Sequence, residues 1–272
     1  MRIAKRFPAA VVLLLFAGGL RAQDLPRTAT AQGAFAFPNP AGTRLLAVAA
    51  LQQPGRIHTA LCAGNRRFAV RFERRQAVGK ADDGRQASRN FVNLPGSVFT
   101  IRQGTLDDGA TCFLAGDALL EKATVLAAAA LPKPAECSAE VRQRLTAERH
   151  RDVVSCRELA AFPANRRLLV AEFVRRDKDA LASVVLLDAS RAVFADYAAE
   201  YRSPGEDLWR ADDGGQFDPA AFRLVFLVQR GATYTLGIDW QGPEGSSLAV
   251  FVSDGATRFA QAIGDYWYRA PL

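Results

Sequence analysis

The chain is expected to be mainly β, a β-rich α+β protein of two antiparallel β units joined by a short helical segment. Three observations predict this. Apolar runs of strand length recur along the chain, glycine, proline or acidic turns separate them, and an alanine-rich then helix-favouring stretch interrupts them near the middle. With 49% hydrophobic residues, the chain can bury a core and is not of the disordered class.

Residues 1–22 carry a basic start (Arg2, Lys5, Arg6), an apolar run from Pro8 to Phe16 and a small-residue end at Leu20-Arg21-Ala22. This is the layout of a cleaved secretory signal peptide, and the run is shorter than the roughly 20 residues of a spanning helix. No later stretch supplies a transmembrane segment. Cleavage after Ala22 removes four positive charges and no acid, so the formal charge falls from +7 to 7 − 4 = +3. A mildly basic mature chain gives no reason to expect nucleic acid as a partner.

Residues 23–42, with three prolines and no sustained period, are read as an extended lead-in. A β-rich N-terminal unit is expected over 43–131, with strands at Arg44–Ala50, Arg56–Cys62, Arg67–Glu73, Ser97–Arg102 and Ala110–Leu114. In Arg67–Glu73, period two puts Phe68, Val70 and Phe72 on one face and Arg67, Arg71 and Glu73 on the other. Residues 132–162 form a helical linker, reading as helix from Ser138 to Leu159, with Ser138 as its N-cap.

A β-rich C-terminal unit follows over 163–272, with strands at Arg167–Arg175, Leu181–Asp188, Arg191–Tyr197, Asp207–Arg210, Phe222–Gln229, Thr233–Trp240 and Ser247–Val252, and a last one near Asp265–Leu272. Phe222–Val228 is apolar at nearly every position, as in a strand covered on both faces. Tyr234, Leu236, Ile238 and Trp240 alternate with Thr233, Thr235, Gly237 and Asp239, as in a half-exposed strand. Pro40–Leu46 and Pro163–Leu169 resemble one another at an offset of 123, which raises an internal duplication.

Cys62, Cys112, Cys137 and Cys156 are an even number in a chain routed to an oxidising compartment, so two disulfides are expected. Four cysteines permit three pairings, and Cys62 with Cys112 and Cys137 with Cys156 is favoured. One straight helix would hold Cys137 and Cys156 roughly 28 Å apart, so their bridge requires the chain to fold back near His150-Arg151-Asp152. Without CxxC spacing, no zinc site, other metal or cofactor is expected.

Catalytic signatures are sparse. His58 and His150 are the only histidines, and neither adjoins a GxSxG elbow. Phosphate-cradling glycine motifs are absent. The carboxylate pairs Asp82-Asp83, Asp107-Asp108, Glu206-Asp207 and Asp212-Asp213 read mostly as turns, three of them being followed by glycine. Asp218-Pro219 reads as an N-cap with proline at the first helical position.

The candidate binding residues are Arg67, Arg71 and Arg75, expected in a row facing an anionic partner, and Trp209, Trp240 and Trp267 as an aromatic platform. The expected function is that of an exported, periplasmic or extracellular, non-enzymatic binding or interaction protein of the cell envelope. Its partner is an envelope protein, an anionic glycan or a lipid headgroup. The rivals are a carboxylate-dependent hydrolase of envelope glycans and a purely structural assembly factor.

Overall fold

The computed structural model describes residues 33–64, 66–129, 135–202, 208–209 and 217–270. The expected signal peptide, the Leu131–Pro134 break, the Glu206-Asp207 pair and Asp212 and Asp213 lie outside these residues. Of the expected Asp207–Arg210 strand, only Leu208 and Trp209 are described, and they form a bend.

The fold is mainly β, with sheets that are antiparallel throughout. Six strands close a barrel in the order β1-β2-β5-β4-β3-β6: β1 (Gly33–Pro38), β2 (Arg44–Ala47), β3 (Thr59–Cys62), β4 (Arg66–Gln76), β5 (Gly96–Ile101) and β6 (Cys112–Ala115). So narrow a barrel holds a compact set of inward side chains. Ala34, Ala36, Leu45, Ala47, Ala60, Val70, Phe99 and Leu114 fill it, and the Cys62–Cys112 disulfide crosses the paired strands β3 and β6 within the same core.

β1 corrects the expected lead-in, because a strand paired into the barrel already occupies Gly33–Pro38, ahead of Thr43. Its sequence GAFAFP alternates by size, with Ala34 and Ala36 inside the barrel and Phe35 and Phe37 outside. Alanine and phenylalanine are both apolar, so a hydrophobic/polar pattern does not show this alternation.

Beyond the barrel lie α1 (Asp117–Leu120), β7 (Thr124–Val125), β8 (Ala135–Glu136) and α2 (Ala139–Arg149). They are followed by β9 (Val153–Phe162), β10 (Arg166–Arg176), β11 (Asp179–Leu187), β12 (Ala192–Glu200), β13 (Phe222–Arg230), β14 (Thr233–Gln241), β15 (Gly245–Ser253) and β16 (Phe259–Tyr268). Two five-stranded sheets result, in the orders β12-β11-β10-β9-β8 and β16-β15-β14-β13-β7.

Three cores stack these parts into layers. Phe35, Phe37, Leu46, Leu61 and Phe113 on the outside of the barrel pack against Phe226, Val228, Leu248, Val250 and Trp267 of the β13–β16 sheet. That sheet's other face, with Leu227, Leu236, Ile238 and Phe251, meets Leu168, Val170, Val184 and Val193 of the β9–β12 sheet. Val141 and Leu145 of α2 cover the far side, against Leu169, Ala171 and Val185.

The β13–β16 sheet is therefore a central layer, which corrects the half-exposed reading of β14. Its polar face turns toward the barrel, where buried Asp239 accepts from the Thr111 hydroxyl at 2.6 Å.

The helical reading of Ser138–Leu159 is correct only to Arg149. Ser138 caps α2, accepting from the Val141 N–H at 3.3 Å, and His150 ends it in the left-handed conformation. The chain then folds back as strand β9, and Cys137 and Cys156 meet in a disulfide with a Cα–Cα distance of 5.4 Å. Pairing with β10 along most of its length overrides the helix preference of Arg157–Ala161.

The Pro40 and Pro163 stretches both form hairpin turns, but different ones. Asn39 Oδ1 accepts from the N–H groups of Thr43 and Arg44 in the first, and Ala164 and Asn165 adopt positive φ in the second.

Candidate functional site: a basic face on the barrel

β4 presents its alternation as the sequence suggests: Val70 is buried within the barrel, while Arg67, Ala69 and Arg71 point outward. At about 3.3 Å per residue, Arg67 and Arg71 stand roughly 13 Å apart along one strand. Arg71 lies opposite Thr100 of β5, and the Arg102 N–H donates to the Ala69 carbonyl at 2.9 Å. Arg102 therefore projects between Arg67 and Arg71 from the neighbouring strand. The alternation of β4 does not reveal it, because it follows the end of β5 and joins the face only through strand pairing.

Arg75 does not join the row. Between the Phe72–Phe99 and Arg74–Val98 pairs the register shifts, so Glu73 is bulged and the phase of β4 reverses. Arg74 shares the outer face with Arg71, while Arg75 turns away and donates to the Leu51 carbonyl at 2.8 Å.

Glu73 sorts the remaining charge. Burial pushes its carboxyl up, but bonds from the Thr100 hydroxyl at 2.9 Å and Arg44 Nε at 2.8 Å, with the charges of Arg44 and Arg74, hold it below its ordinary value. The ionised Glu73 pairs with both Arg44 and Arg74. Among the described residues no carboxylate pairs with Arg67, Arg71 or Arg102. Arg71, Thr100 and Arg102, with Ala69, Ile101 and Gln103, line an open depression of about 620 Å³.

The three tryptophans do not share a surface. Trp240 is buried between the two sheets, stacked on Phe222 with ring centroids 5.0 Å apart. Trp267 is buried on the opposite face of its sheet, edge-on to Phe35 and Phe37 of the barrel. Half-buried Trp209 donates its indole N–H to the Tyr197 carbonyl at 3.1 Å. These are core aromatics, as the strand alternation of Trp240 allowed.

The described carboxylate pairs serve the backbone and local ion pairs. Asp82 accepts from the Gly84 N–H and the Asn90 amide, and Asp83 from the Arg85 N–H. Asp107 pairs with Arg66 at 3.0 Å, and Asp108 accepts from the Ser88 hydroxyl. Asp218 caps a single 3₁₀ turn by accepting from the Ala220 N–H at 2.8 Å, with Pro219 at the first helical position. His58 is exposed ahead of β3, and His150 ends α2. Among the described residues no three or more His, Cys, Asp or Glu side chains gather in a metal-binding group.

Both pairs of cysteines are bridged, which fits an oxidising compartment. No helix among the described residues is long and apolar enough to cross a membrane. Compared with known protein families, with curated proteins and with solved structures, the chain matches none.

Proposed function

We propose that the protein is exported by its N-terminal signal and acts without catalysis, as a binding or interaction protein of the cell envelope that takes an anionic ligand on the open face of its barrel. One observation carries the reading: Arg71 and Arg102 line an open depression, Arg67 extends the row on the same face of β4, and among the described residues no carboxylate pairs with any of the three. Guanidinium groups match phosphate and carboxylate oxygens by paired N–H donation, and strand pairing brings their backbone positions together on one face. The ligand chemistry is that of clustered phosphate or carboxylate groups, as on a glycan, a lipid headgroup or an acidic protein surface.

The test is retention of the mature protein on two probes, a carboxylated polysaccharide and vesicles containing an acidic phospholipid. The Arg71→Glu/Arg102→Glu variant is expected to lose at least about tenfold in affinity for whichever probe binds, and the native complex to weaken steeply with salt. Binding to either probe that is unchanged in the variant overturns the reading, as does retention of neither.

A further inference from the structure

A second cavity, of about 380 Å³, opens at the edge of the two stacked sheets, between β12 and β16. Its shape follows from strand pairing. Across β14, β15 and β16, Trp240 faces Ser247 and Ser247 faces Tyr266, while Ala249 faces Gly264 in the next row. Paired residues share a face, so Ser247, Ala249 and Gly264 give a low floor where larger side chains would fill the space between the sheets. Trp240 and Tyr266 wall one side. Tyr197, reaching across from β12, walls another, its ring edge-on to Trp240 at 5.4 Å.

The polar groups on this cavity are specific in kind. The Tyr197 phenol, the Ser247 hydroxyl and the Gln261 amide have no hydrogen-bond partner among the described residues. A side chain at Gly264 would begin 2.2 Å from the Gln261 amide nitrogen, so the glycine makes the space in which that amide lies. Asp265 also borders the cavity, but its carboxylate already accepts from the Tyr266 N–H at 2.9 Å and the Trp267 indole at 3.2 Å. Among the described residues no cationic side chain lines the cavity.

The geometry points to a binding site for one neutral sugar ring. A pyranose presents a C–H face that packs on aromatic rings and a rim of hydroxyls that both donate and accept. Tyr197, Trp240 and Tyr266 supply the rings, and a phenol, a hydroxyl and an amide supply uncharged groups of both kinds. The volume falls within the range of small-molecule pockets. An anionic ligand would meet no opposite charge among the described residues here, which separates this site from the basic face.

The test uses the mature protein with neutral oligomers of hexose and of N-acetylhexosamine, followed by tryptophan fluorescence and by calorimetry. Saturable binding of at least one series is expected, with a change in Trp240 emission. Gln261→Ala and Ser247→Val are each expected to weaken it roughly tenfold or more, and Arg71→Glu/Arg102→Glu to leave it unchanged. Gln261→Ala alters an exposed side chain, so its fold is expected to hold even where filling the floor disturbs packing. Absence of saturable binding to both series, or binding indifferent to Gln261→Ala and Ser247→Val in folded protein, overturns the assignment.

Discussion

Gly237 shows how much of this structure rests on single residues. A Cβ there would lie 2.3 Å from the Phe226 ring, which occupies that space to reach Phe113 of the barrel, 5.1 Å away between ring centroids. Gly237→Ala is expected to destabilise the fold by about 1–3 kcal/mol through overpacking, measured by urea unfolding, and a neutral result would mean that Phe226 can move aside. Asp188 contributes differently, through pH. Burial pushes its carboxyl up, but the Ser190 hydroxyl, the N–H groups of Ser190 and Arg191 and the Arg191 charge hold it below the ordinary carboxylate value. A carboxyl held lower in the folded than in the unfolded chain contributes stability above its unfolded value, and that contribution disappears as pH falls through its folded value. Asp188→Asn should therefore be less stable than the native protein at neutral pH and converge on it as pH falls through the lowered value of the folded carboxyl; a gap constant with pH would contradict this. At this scale the sequence was informative where the chemistry is local. Ser138 and Asp218 were legible as caps because a cap needs only its own next three residues.

Elements were legible in proportion to how far their pattern is set by their own faces. β4 and β10 to β15 alternate or run apolar as buried strands do, and their existence follows from period alone. β9 was not legible, because Arg157–Ala161 favours a helix in isolation and becomes a strand only against β10. The bulge at Glu73 leaves no signature either, since it arises from the fit of β4 to β5, and it removes Arg75 from the outward basic row while strand pairing adds Arg102. The return from α2 to β9 is closed by the Cys137–Cys156 bridge across a sequence separation of 19. Replacing both cysteines with alanine should lower stability by roughly 3 kcal/mol, the loop-closure value for a segment of this size, and should loosen α2 first. Hydrogen exchange in α2 that is no faster than in β10 would show that Val141 and Leu145 hold the helix without the bridge.

In the whole molecule, the barrel and the two sheets share their cores rather than forming separate bodies, and this is the level the sequence conveyed least. The polar face of β14 looked solvent-exposed because nothing in the chain announces that a barrel will cover it, and Asp239 is tolerated there because Thr111 of that barrel satisfies one of its oxygens. Trp267 lies at the centre of the same contact, 2% exposed, with its ring edge against both Phe35 and Phe37. β1 has little independent reason to stay in the barrel without that cover, since outside the ring its exposed face would be two phenylalanines. Truncation at Trp267 should consequently act on both parts at once. Trp267→Ala is expected to cost about 3–5 kcal/mol, the range for removing a large buried aromatic, and to leave unfolding as one transition. The transition can be followed by near-ultraviolet dichroism, which reports the phenylalanines around the barrel, and by fluorescence of Trp240 within the sandwich. Coincident midpoints, both lowered by the substitution, are the outcome for a single cooperative core. A barrel signal that melts early while the Trp240 signal keeps its native midpoint would show that the two layers are held together only at their surface.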